Sequence, residues 1–91
     1  MSNNKYKILI VEDAANTRSF IKANLETSDY QVICAETCTL GIMMYASHHP
    51  DLIILDLGLP DRDGLDLIQE VRESDTVPII EIGRASCRER V

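Results

Sequence analysis

Leu52-Ile53-Ile54-Leu55-Asp56-Leu57-Gly58-Leu59-Pro60-Asp61-Arg62-Asp63-Gly64 is the stretch whose reading decides the fold. Four consecutive apolar residues bounded by turn formers read as a strand covered on both faces, as in the middle of a parallel sheet. That strand runs into Asp56 and then into a loop rich in Gly, Pro and Asp, the residues that turns select. Upstream, Ile8-Leu9-Ile10-Val11 ends in the same manner on Glu12 and Asp13.

Working outward, apolar spacing predicts strands over 7–11, 31–35 and 52–55, with a fourth beginning at Val77-Pro78-Ile79-Ile80. Helices are expected over 16–26, 39–47 and 64–73. Their inward stripes are read as Phe20, Ile21 and Leu25, then Leu40, Met43 and Met44, then Leu65, Ile68 and Val71. His49-Pro50-Asp51 ends the second helix, because proline cannot continue it. The order β-α-β-α-β-α-β implies an α/β fold, a parallel sheet with right-handed crossovers and helices on both faces. Ligands of such sheets sit beyond the carboxyl ends of the strands, where strand order reverses. Asp13 and Asp56 both fall there.

The chain has 91 residues, 45% hydrophobic and 26% charged, which suits one small globular domain. Its net charge of −6 argues against nonspecific nucleic-acid contact. No apolar run approaches the roughly 20 residues of a membrane span. The polar start, Met1 to Lys7, lacks the apolar core of a signal peptide, so a cytoplasmic location is expected. Cys34, Cys38 and Cys87 form neither a disulfide framework nor a zinc pattern, and Cys34 reads as a small buried apolar residue. His48 and His49 read as solvated, and Met43-Met44 as core.

Three carboxylates at one sheet edge, Glu12, Asp13 and Asp56, repel one another unless a cation or a proton intervenes. Mg2+ takes oxygen ligands, commonly one or two carboxylates together with phosphate oxygens. With the charge neutralised, Asp56 can meet a phosphoryl donor as nucleophile. Asp61 and Asp63 could add metal ligands, but turn formation accounts for them.

The two motifs together, Ile8 to Asp13 and Leu52 to Gly64, resemble the receiver domain of two-component response regulators. The likeness covers residues 5–80, and the loop looks most like winged-helix transcriptional regulators of the kind that control potassium-transport operons. The resemblance implies a flavodoxin-like fold and a phosphoacceptor signalling domain rather than an enzyme. It makes Asp56 the phosphoacceptor, with Asp13 and Asp56 binding Mg2+ directly, Glu12 acting largely through water, and the Gly58 carbonyl as a further ligand. Pro60 and Gly64 would shape the loop into the third helix. The implied donor is a phosphohistidine on a sensor histidine kinase docking on the first helix. A receiver homodimer and transcriptional control would belong to the intact parent.

Two other classes share features of this pattern. A haloacid-dehalogenase-type phosphatase also uses a strand-terminal Asp with Mg2+, but needs a second acid two residues later, where Gly58 stands. A flavodoxin-like nucleotide binder needs a Gly-rich loop after the first strand, where Glu12-Asp13-Ala14-Ala15 stands instead.

After Ile80 the apolar pattern gives way to Glu81-Ile82-Gly83-Arg84-Ala85-Ser86-Cys87-Arg88-Glu89-Arg90-Val91. Ile82 to Val91 resembles, residue for residue, the translation of a common sequencing-library adapter, ATC GGA AGA GCG TCG TGT AGG GAA AGA GTG. The receiver is therefore expected to be truncated, with residues 1–80 native and 81–91 adapter-derived. The family's Ser or Thr after the fourth strand would fall on about Gly83, and its Lys and switch aromatic lie beyond. A chain lacking those elements is expected to leave apolar surface and a strand edge uncovered and so to be unstable or oligomeric.

Overall fold

The computed structural model describes residues 6–56, 58–59 and 61–82. Within them the chain runs β1 (Lys7–Val11), α1 (Ala15–Thr27), β2 (Gln31–Ala35), α2 (Cys38–His48), β3 (Leu52–Asp56), α3 (Gly64–Arg72) and β4 (Ile79–Ile82). All pairings are parallel, in the order β2-β1-β3-β4. The chain steps from β1 outward to β2 and then back across to β3, so strand order reverses at β1. Val11 lies opposite Leu55, which sets Glu12 beside Asp56 at the reversal point.

The strands read as expected because their residues alternate between two covered faces. Leu9, Val11, Ile53 and Leu55 are buried with Cys38, Leu67 and Val71 of α2 and α3. Ile8 and Ile10 are buried on the other side, where α1 packs on β1 and β2. Gly41 allows the closest approach: a Cβ there would sit 2.9 Å from Leu67 Cδ1 and 2.9 Å from Val11 Cγ2.

The expected helical stripes match the real ones only in part. Phe20 is 71% exposed, and Ile21 and Leu25 are only half-buried. In α2 the inward residues are Cys38 and Gly41, supported by Ile42, Met44 and Tyr45, whereas Leu40 is exposed and Met43 is 57% exposed. This helix is apolar nearly all round, so its sequence carries no directional signal. In α3 the buried line is Gly64, Leu67 and Val71 with Ile68 beside it, and Leu65 faces out. Ile68 and Val71 are thus inward as expected, and Leu67 takes the place that was given to Leu65.

Boundaries shift by small amounts. β4 begins at Ile79, since Pro78 has no N–H for the ladder, although its carbonyl accepts from Ile53 N at 3.0 Å. The strand also continues past Ile80, with Glu81 opposite Leu55 and Ile82 opposite Asp56, because a parallel ladder needs only main-chain groups. Leu57, Pro60, Gly83 and the rest of 83–91 lie outside the described residues, so the expectations placed on them do too. His49 closes α2 in the left-handed conformation (φ 50°) just before Pro50, a common helix ending. His48 and His49 are exposed, as expected. Cys34 is only half-buried; among the described residues Cys38 is the buried thiol.

Candidate metal centre

β1 and β3 deliver the acids to one edge. Glu12 and Asp56 are buried, Asp13 is exposed, and one carboxylate oxygen from each lies within 4.8 Å of the others. The local chain is pinned around them. Glu12 N donates to Ala35 O at 3.0 Å, extending the β1–β2 pairing by one residue. Ala14 N donates to Glu12 Oε2 at 3.0 Å, which folds the Glu12 side chain against its own loop. Gly58 N donates to Asp56 Oδ1 at 3.1 Å, so the main chain after β3 turns back over the Asp56 carboxylate.

Three oxygen donors with no nitrogen or sulfur among them suit a hard divalent cation such as Mg2+. The burial of two of them favours neutralisation by bound charge over hydration. The residue set therefore fits Mg2+ on donor chemistry.

Asp61 and Asp63, weighed above as spare ligands, belong elsewhere. Asp61 accepts from Cys38 N at 2.8 Å, Thr39 N at 3.0 Å and the Thr39 hydroxyl at 2.8 Å, and so caps α2 from the far side of the loop. Thr37, the N-cap of α2, takes Leu40 N at 3.1 Å, completing that first turn. Asp61 is held down to about 2: partial desolvation would raise it, but the hydrogen bonds from Thr39 and Cys38 outweigh that. Asp63 caps α3, accepting from Leu65 N at 3.1 Å. Burial pushes the Cys38 thiol up, and its Sγ lies 3.7 Å from Asp63 O.

Two residues near the site make contacts that the sequence reading did not foresee. Arg18, in the first turn of α1, donates from Nη1 to Glu12 O at 2.8 Å. Asp61 is the other. Its partners lie 22 and 23 residues away, so no local spacing could reveal them. For Arg18 the only signal was a cation one helical turn after an acid pair.

A family model for the response regulator receiver domain matches residues 8–90. The chain is 44% identical over 79 residues to the KDP operon transcriptional regulatory protein KdpE of Escherichia coli K12, covering 87% of this chain and 35% of that protein. It is 43% identical over 75 residues to the virulence transcriptional regulatory protein PhoP of Salmonella typhimurium 14028s, covering 81% of this chain and 34% of that protein. The chain thus spans about a third of the length of these curated relatives. Among solved structures it is similar to the response regulator TrrA of Thermotoga maritima in complex with Mg2+-BeF. There the TM-score is 0.83 at 29% identity, over 92% of this chain and 74% of that one. Sheet order, acid placement and both kinds of likeness agree, and the chain belongs to the receiver domains of two-component response regulators, the modules of phosphorelay signalling.

Proposed function

We propose that Asp56 is the residue that accepts the phosphoryl group, in a Mg2+-dependent reaction. The observation that carries this reading is the position of Asp56: buried at the end of β3, held through Oδ1 by Gly58 N, and within 4.8 Å of the Glu12 and Asp13 carboxylates. Asp13, Asp56 and the Gly58 carbonyl would hold the cation directly, and Glu12 through water. Bound there, Mg2+ neutralises the acids and the charge on the incoming phosphoryl oxygens. An Asp56 carboxylate oxygen attacks phosphorus, the P–N bond of a phosphohistidine breaks, and the imidazole leaves with the electron pair. Burial of Asp56 limits the approach of solvent to the acyl phosphate that results.

The donor is a sensor histidine kinase, and the longer protein of which this is one module acts on transcription in the cytoplasm, by likeness to KdpE and PhoP. Among the described residues no helix is long and apolar enough to cross a membrane. Incubation with acetyl phosphate and Mg2+ should add one phosphoryl group to the intact mass, and EDTA or Asp56→Asn should abolish the increase. An undiminished gain in Asp56→Asn would refute the assignment.

We further propose that residues 1–80 are the receiver's own sequence and 81–91 the adapter translation. Resequencing the source DNA with primers outside the original library insert tests this. Reads that encode 82–91 unchanged would overturn it.

A further inference from the structure

We infer that Arg18 is a positioning residue for the divalent cation, a strut that sets the main chain of the acid pair. The inference rests on the reading of Asp13 and Glu12 as cation-binding residues. Arg18 Nη1 lies 2.8 Å from Glu12 O and 3.5 Å from Asp13 O. Its Nη2 lies 3.9 Å from Glu36 Oε2, just beyond the end of β2. The side chain is 17% exposed, so the guanidinium is packed in place rather than waving in solvent.

Glu12 and Asp13 sit where β1 has ended and α1 has not begun. Ala14, the residue before the helix, offers no side-chain cap. Main-chain carbonyls in such a junction need a donor from outside the local ladder. Arg18 supplies it. One planar fork reaches two consecutive carbonyls and an acid just past the next strand, so it fixes both the path of the acid loop and its distance from the end of β2. A lysine ammonium is a point donor and cannot span the same three groups. Asp13 itself is exposed. The main chain that Arg18 grips sets the point from which the Asp13 carboxylate reaches toward Asp56.

Charge and geometry pull in opposite directions here, which makes the inference testable. A cation beside a Mg2+ site opposes metal binding by simple repulsion. If Arg18 acted only as a charge, its removal would tighten Mg2+. If it is a strut, its removal loosens Mg2+ despite the favourable change in charge. Outer residues that hold metal ligands typically account for about ten- to a hundredfold in affinity.

The experiment is a Mg2+ titration of the 91-residue chain, read by calorimetry and by amide chemical shifts. It compares the wild type, Arg18→Lys, Arg18→Met and Asp13→Asn at a temperature where the apo spectra show each to be folded. Weakening of about tenfold or more in both Arg18 variants supports the strut, since a merely structural role would lower the apo melting point and leave the affinity alone. Tighter binding in Arg18→Met with no change in Arg18→Lys overturns it, and so does wild-type affinity in both. Arg18→Lys is the conservative variant should Arg18→Met fail to fold. A wild type that binds no Mg2+, or Asp13→Asn binding as well as the wild type, points to failure of the site reading itself, and the inference then falls with it.

Discussion

The carboxylate of Asp61 grips Thr39 twice, accepting its N–H at 3.0 Å and its hydroxyl at 2.8 Å. A residue of the loop after β3 thereby supplies the cap of a helix that precedes β3. The loop that carries Gly58, and that follows Asp56 directly, is anchored to α2 by this contact.

Asp61 should make stability acid-sensitive. Its folded pKa of about 2 lies below the ordinary 3.8, so its contribution is complete above the ordinary carboxylate range and is lost as pH falls through about 2. Melting of the wild type followed from pH 5 to pH 2 should fall more steeply than that of Asp61→Asn. Parallel curves would show that the cap carries no linkage.

Gly41→Ala should destabilise the fold by about 1–3 kcal/mol, the usual penalty of overpacking. The added methyl would meet Leu67 and Val11, both in the core between sheet and helices. Urea denaturation measures this directly; an unchanged midpoint would mean that α2 can move away at little cost.

Tyr45 and Asp75 form a second tether, with the Tyr45 hydroxyl donating to Asp75 Oδ2 at 2.9 Å. That hydrogen bond is the main reason the Asp75 carboxyl lies below its usual range, helped by Thr76 N. In Tyr45→Phe the Asp75 pKa should rise toward the ordinary value in a carboxyl 13C titration. A pKa that stays depressed would transfer the cause to the backbone donors.

Mg2+ should stabilise the folded chain through its acids. At a Mg2+ concentration a hundred times the dissociation constant the gain is about 2.7 kcal/mol by mass action. Asp13→Asn and Asp56→Asn should lose most of it, while Asp56→Asn should melt above the wild type in EDTA, because one of three crowded negative charges is gone. Equal Mg2+ responses in all three proteins would place the ion elsewhere.

The edge of the sheet predicts association. Among the described residues β4 pairs only with β3, and Ile80 is 49% exposed. Sedimentation of the 91-residue chain should show self-association that Ile80→Lys reduces, since an edge lysine opposes strand pairing. A monomeric profile for the wild type would count against this.

The order of strands and helices, the parallel sheet and the meeting of Glu12, Asp13 and Asp56 were all legible in the sequence. Buried parallel strands must be apolar throughout, and acids that end such strands stand out against them. The phase of the helices was legible only in part, with Met44, Ile68 and Val71 inward as read. Met43 and Phe20 look like core residues, yet face out, because an apolar residue's burial depends on what packs above it and not on its own chemistry. Nor could local spacing reveal the grip of Asp61 on Thr39, and for the grip of Arg18 on Glu12 O it offered only a cation soon after the acid pair. The sequence by itself determined the chemistry available at the sheet edge. Only the tertiary structure decided what holds that chemistry in place, because the Asp61–Thr39 contact joins segments 22 residues apart and the Arg18 contact depends on how α1 leaves β1.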